Sequence, residues 1–135
     1  NGKPLRGLRI EIWQCDANGR YHHPRDSSPQ ALDPGFQGFG HTSTDERGRY
    51  RFLTIRPVPY PGRTPHIHVA VYPEGQSPFV TQLYVAGDPR NADDFLYRRV
   101  PAEARERVTA AFEASASAQS DLAAQWDIVL GITPS

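Results

Sequence analysis

His66-Ile67-His68-Val69-Ala70-Val71-Tyr72 alternates imidazole with aliphatic side chains, and that alternation decides how the chain is read. Successive side chains of a strand project to opposite faces, so Ile67, Val69 and Val71 share one face while His66 and His68 share the other. The aliphatic face suits burial in a core, and the histidine face suits the lining of a cleft. Two imidazoles on one face stand roughly 6.5–7 Å apart at Cα, close enough to reach a single ion between them. A lone His-x-His is equally well satisfied by ordinary hydrogen bonds, so the pair needs further ligands before it reads as a metal site.

Working outward, the segments on either side have the same character. Glu74-Gly75-Gln76 turns the chain into Phe79–Val85, where Thr81, Leu83 and Val85 alternate with Val80, Gln82 and Tyr84. Far upstream, Leu8, Ile10 and Ile12 alternate with Arg9 and Glu11, and Asp16-Ala17-Asn18-Gly19 closes that strand with a turn. Asn1-Gly2 reads as a tight hairpin turn, which implies a strand before it and a truncated first hairpin. A long polar loop then runs to Gly40, with Phe36 and Phe39 offering apolar area for packing. Asp45–Arg49 turns into Tyr50–Ile55, a short β-prone run, and Asp127–Ile132 reads as a closing strand too apolar to be exposed. Asp88-Pro89 caps and opens a helical turn reaching Leu96. Pro101 starts a helix to about Ala114, with Ala104, Val108, Ala111 and Phe112 on one side. The expectation is one domain over residues 1–135, all-β, an antiparallel β-sandwich with long loops and one or two short helices near the C-terminal part.

Composition narrows the partners. Fifteen basic and fifteen acidic residues cancel, so the charge balance does not argue for nucleic acid or an anionic membrane as partner. No apolar run approaches the length of a membrane span. Thirteen prolines and eleven glycines exceed the average share of about 12% and punctuate the short strands. Cys15 is the only cysteine, so there is no disulfide framework and the thiol reads as a small strand-end side chain. The cytoplasm is the expected compartment, with an export leader upstream of Asn1 left open.

The company the histidine pair needs is phenolic. Tyr21 follows the first turn, and Tyr60 sits between Pro59 and Pro61 just before the histidine strand. Each taken alone is an ordinary packing tyrosine or a loop anchor. A phenol titrates near pH 10, so its use as a ligand at neutral pH demands a strongly polarising cation. Two hard anionic oxygens with two imidazoles suit Fe(III) better than zinc, and differ from the two-His-one-carboxylate set of ferrous oxygenases.

The ordered series Gly19-Arg20-Tyr21, Leu32-Asp33-Pro34, Tyr50-x-Phe52-x-Thr54-Ile55, Pro59-Tyr60-Pro61, Arg63-x-x-His66-Ile67-His68, Thr81-Gln82-Leu83-Tyr84 and Phe95-Leu96 resembles the intradiol ring-cleavage dioxygenases along nearly the whole chain. The resemblance implies a β-sandwich holding a non-haem Fe(III) through Tyr21 and His66 as equatorial ligands and Tyr60 and His68 as axial ones. It implies that Arg63 stabilises charge developing on the substrate and that Gln82 lines the same pocket. The implied partners are a small aromatic diol and O2, with cleavage between the two hydroxylated carbons to a cis,cis-muconate type diacid; a homo-oligomer is compatible with it. Only five residues separate Tyr60 from His66, and Gly62 stands where larger members place a bulky aromatic, which implies a more open pocket wall.

Two other classes share some of these features. Asn1-Gly2-Lys3-Pro4-Leu5 with Asp45-x-x-Gly48-x-Tyr50-x-Phe52 also resembles prealbumin-like modules that bind or space without metal, but such a module has no use for Tyr21, Tyr60, Arg63, His66 and His68 together. A cupin-like His-x-His enzyme needs a further glutamate and histidine at suitable later spacing, and no histidine follows His68.

Overall fold

Alternation along Arg9–Trp13 and His66–Tyr72 produces the two central strands of the sheet. A computed structural model describes residues 2–135. The hairpin turn read at Asn1-Gly2 rests on Asn1, which lies outside the described residues. Five strands form the principal sheet: β1 (Arg9–Trp13), β2 (Phe39–Ser43), β3 (His66–Tyr72), β4 (Phe79–Val85) and β5 (Thr109–Ala110). Their order is β2-β1-β3-β4-β5, antiparallel except for the parallel β4–β5 pair. A two-stranded ladder, β6 (Glu113–Ala114) with β7 (Leu122–Ala123), stands apart from it.

The register divides the sheet into two chemically distinct faces. Ile10, Ile12, Ile67, Val69, Val71, Leu83 and Ala110 form the core on one face, each 9% exposed or less. Burial of each large aliphatic side chain contributes about 1.5–3 kcal/mol. Tyr50, Phe52, Phe112, Trp126, Ile128 and Leu130 cover this face as partly buried side chains. On the opposite face, β3 sets His66 across from Tyr84 and His68 across from Gln82, with Trp13 of β1 on the other side of His68. The fold is mostly sheet with short helical turns at Pro89–Asp93, Tyr97–Arg99 and Ala102–Val108. Among the described residues no helix is long and apolar enough to cross a membrane.

Three expectations are corrected. The stretch from Pro101 to Ala114 is not a helix: it is a 3-10 turn, Ala102–Val108, that runs into β5. Val108 and Ala110 are buried and Phe112 is partly buried, a period of two, because Thr109 and Ala110 add to the edge of β4 opposite Tyr84 and Val85. Tyr50–Ile55 joins no ladder. Side chains fix it instead: Gln14 Nε2 donates to the Ile55 carbonyl at 3.1 Å, Thr54 Oγ1 donates to Gln14 Oε1 at 2.9 Å, and the Tyr50 hydroxyl donates to the Trp126 carbonyl at 2.7 Å. Asp127–Ile132 is likewise no strand, and Val129 and Ile132 are 39% and 53% exposed. There the chain closes on itself, with the Ile132 and Thr133 amides donating to the Val129 carbonyl and the Val129 amide to Thr133 Oγ1. The end of the polar loop, by contrast, becomes β2, an edge strand on which Phe39 is half exposed. The cap at Asp88 is present, its carboxylate accepting from the Arg90 amide at 2.9 Å, although the turn ends at Asp93.

Candidate metal centre

β3 brings its two histidines to a common point. Nε2 of His66 lies 3.2 Å from Nε2 of His68, and the Tyr21 hydroxyl lies 3.1 Å from each. Three donor atoms thus form a nearly equilateral triangle. The His66 ring is oriented from behind, where Nδ1 donates to the Thr64 carbonyl at 2.7 Å; a carbonyl only accepts, so Nε2 bears the lone pair that faces the triangle. His68 is oriented by stacking on Trp13, with ring centroids 5.0 Å apart and planes 2° from parallel.

Tyr21 reaches this point because its turn is stapled down. Asp16, fully buried, accepts from the amides of Asn18 and Arg20 through Oδ1 and from the amide of Asp33 through Oδ2, at 2.8–3.0 Å. Asp26 then accepts from the Tyr21 amide at 2.8 Å. Gly19, at φ +74°, lets the turn press on the next loop: a Cβ there would stand 2.8 Å from the Pro59 carbonyl oxygen. Tyr60 follows directly, its ring edge-on to Tyr21 at 5.0 Å. Among the described residues its hydroxyl has no hydrogen-bond partner, so it stands beside the triangle without joining it. The Arg63 amide donates to the Tyr60 carbonyl at 2.8 Å, closing a tight turn through Gly62.

Arg63 and Gln82 are joined to each other. Nη2 of Arg63 donates to Gln82 Oε1 at 2.6 Å, and the buried Tyr84 hydroxyl donates to the same oxygen at 3.1 Å. Arg63 also donates through Nε to Asp94 at 2.8 Å. A cleft of about 500 Å³ lies on the Tyr60 and Arg63 side, walled also by Asn18, Gln30 and Arg90. A second, of about 290 Å³, opens over His68, Gln82 and Tyr84 beneath Leu96 and Arg99.

The electrostatics suit a cation. Burial first, then the neighbouring His66, pushes His68 down to about 3; burial also lowers His66, so both rings are neutral with available lone pairs at neutral pH. Burial, and after it Cys15, pushes the Tyr21 phenol up, so only a strong local positive charge would make it a phenolate. Among the described residues no three His, Cys, Asp or Glu side chains converge, which leaves a phenol as the third donor beside the imidazoles. Donors 3.1–3.2 Å apart are spaced as neighbouring ligands of one ion, since two bonds of about 2.1 Å at right angles span about 3.0 Å. Two neutral imidazoles and a phenol fit a hard trivalent cation. Cys15 stays a buried thiol, raised to about 11 by burial and donating weakly to the Val58 carbonyl.

Sequence reading missed the residues that orient the site: Trp13, Asp16, Asp26, Thr64, Tyr84 and Asp94. Asp16 had a local signal in Asp-x-Asn-Gly, where an aspartate commonly ties its own turn. Asp94 had none that pointed to the site, because the partners it holds there, Arg63 and Thr64, lie 31 and 30 residues upstream.

A family model described as dioxygenase matches residues 1–131. The chain is 41% identical over 138 aligned positions to the protocatechuate 3,4-dioxygenase beta chain of Burkholderia cepacia, which covers 96% of this chain and 59% of that one. It is 34% identical to the catechol 1,2-dioxygenase of Acinetobacter baylyi over 72% of this chain and 36% of the relative. Among solved structures, the dioxygenase domain of a dioxygenase carbohydrate-binding protein fusion from Streptomyces sp. SirexAA-E superposes with a TM-score of 0.62 at 33% identity, covering 82% of this chain and 61% of that domain. The chain therefore spans about three fifths of the first of these relatives and just over a third of the second.

Proposed function

The chain belongs to the intradiol ring-cleavage dioxygenase family, and from that premise we propose that it is a non-haem Fe(III) enzyme that opens a catechol-type ring between its two hydroxylated carbons. The observation that supports this most directly is the triangle of Tyr21 Oη, His66 Nε2 and His68 Nε2 with Tyr60 beside it. These four side chains would hold the iron. Bound Fe(III) would supply the Lewis acidity that strips both hydroxyl protons from a catechol and makes its ring carbons reactive toward O2.

What the chain's own residues do follows from their placement. Tyr60, on a loop braced by two prolines and free of a fixed hydrogen bond, can swing and accept one substrate proton at Oη. Arg63 keeps a permanent positive charge beside the cleft, where negative charge develops on the ring oxygens. Gln82 spends its carbonyl oxygen on Arg63 and Tyr84, which leaves its amide N–H groups as donors toward a substrate oxygen. Both atoms of O2 end in the product, a cis,cis-muconate type diacid. We also propose that the segments covering the core complete a prealbumin-like sandwich, and that the protein works as a homo-oligomer.

Purified protein should contain about one iron per chain and be red to burgundy from tyrosinate-to-iron charge transfer. Oxygen uptake is measured with catechol, protocatechuate and hydroxyquinol, and the products are identified. A diacid is expected. A yellow semialdehyde, from cleavage beside the hydroxylated carbons, would refute intradiol chemistry, and zinc in place of iron would refute the metal.

A further inference from the structure

One buried carboxylate holds Arg63 and the entry to β3 together. Asp94 follows the Pro89–Asp93 turn with its side chain 0% exposed. Its Oδ2 accepts from Arg63 Nε at 2.8 Å and from the Thr64 amide at 3.0 Å; its Oδ1 accepts from the amides of Leu96 and Tyr97 at 3.0 and 2.9 Å, with Arg63 Nη2 at 3.5 Å. Three main-chain amides thus fix the carboxylate itself. The carboxylate in turn fixes the guanidinium, whose Nη2 also reaches Gln82 at 2.6 Å while the Phe95 ring lies 5.4 Å away. A planar group pinned at Nε and at Nη2 has no remaining freedom to rotate, and among the described residues Nη1 has no partner.

A buried ion pair is a poor source of net stability, because desolvation offsets most of its attraction. Orientation is the better account of this one. Resting on the dioxygenase reading above, we propose that Asp94 is a positioning residue for the reaction: it sets the plane of the Arg63 guanidinium against Gln82, so that the remaining N–H groups meet developing negative charge on the substrate without rearrangement. A positioning group of this kind acts on turnover through its partner, and misplacement by about 1 Å can cost about 10²-fold.

The test is a double-mutant cycle on the iron-loaded protein with catechol. Asp94→Asn, Arg63→Ala and the double variant are compared with wild type for iron per chain, for catechol binding without O2 by visible absorbance, and for kcat and KM. Asp94→Asn is expected to keep its iron, to bind catechol within about threefold of wild type, and to lose about 10- to 100-fold in kcat. The double variant should be no slower than Arg63→Ala, within about twofold, because Asp94 has nothing left to orient. Multiplicative losses, or wild-type kcat in Asp94→Asn, overturn the inference while leaving the dioxygenase reading intact. Arg63→Lys decides the matter if Asp94→Asn does not fold: it keeps the charge but cannot form the fork, and a wild-type kcat in it overturns the inference. A wild-type protein that turns over none of catechol, protocatechuate and hydroxyquinol removes the dioxygenase reading and this inference with it.

Discussion

Tyr21 and Tyr60 are chemically the same side chain in different circumstances, and the difference makes them separable. Tyr21 is anchored through its amide by Asp26 and touches both histidines; Tyr60 meets Tyr21 only edge-on. On the proposed function, Tyr21→Phe should therefore weaken iron retention and shift the visible band, whereas Tyr60→Phe should keep most of its iron and slow catechol binding, since the proposal makes Tyr60 the departing base. Iron per chain and stopped-flow absorbance read the two effects, and wild-type behaviour in both variants would dismiss the tyrosines as ligands. The histidine pair was legible in the sequence by strand alternation, and the two tyrosines only through the family resemblance, since each alone reads as a packing residue or a loop anchor. Trp13 and Tyr84 were not, since their places beside His68 and His66 depend on which residues pair across β1, β3 and β4, and register is a property of the assembled sheet.

At the scale of elements, the site is where a turn and a loop are pressed together on a rigid strand. Gly19 and Gly62 both have positive φ, +74° and +79°, but only Gly19 faces an obstacle. Gly19→Ala adds to the left-handed conformational cost a clash with the Pro59 carbonyl, which as backbone cannot step aside, for a total of roughly 2–4 kcal/mol. Gly62→Ala meets open space and should cost only the left-handed conformational part, about 1–2 kcal/mol. Urea denaturation of the two variants checks the ranking; equal losses would mean that the turn–loop contact is not what positions Tyr21. The stretch 101–114 shows where element reading fails. Ala104, Val108, Ala111 and Phe112 satisfy a helical spacing, yet β4 has an open edge, and a parallel addition of two residues there is invisible to local periodicity. Tyr50–Ile55 failed for a different reason: its β-prone residues are real, but hydrogen bonds to Gln14 and Trp126 replace the ladder that β propensity implies.

For the molecule as a whole, the decisive ties are carboxylates that join segments distant in sequence. Asp16 binds the turn after β1 to the polar loop at Asp33, Asp26 binds that loop back to Tyr21, and Asp94 binds the 3-10 turns to Arg63 and Thr64. Burial works against ionisation of Asp16 and Asp94, but amide donors outweigh it in Asp16, and Arg63 with the Tyr97 and Thr64 amides outweighs it in Asp94; the Tyr21 and Ser28 amides lower Asp26. All three sit below the ordinary value of 3.8 in the folded protein. The unfolded chain therefore binds more protons in that range, so stability rises with pH there. The contribution is fully present above 3.8 and is lost as pH falls from that value through the lower folded-state pKa. Tm measured from pH 7 to pH 2 should be flat near neutrality and fall steeply below about 4. Asp16→Asn should lower Tm at pH 7 and give a shallower acid limb, with the two curves converging at the acid end, where the wild-type carboxylate is protonated as well. Taking the difference between the curves cancels any acid release of the proposed iron, which both proteins would share. Parallel curves, offset equally at pH 7 and pH 2, would show that Asp16 stabilises by shape alone and that its charge does no tying.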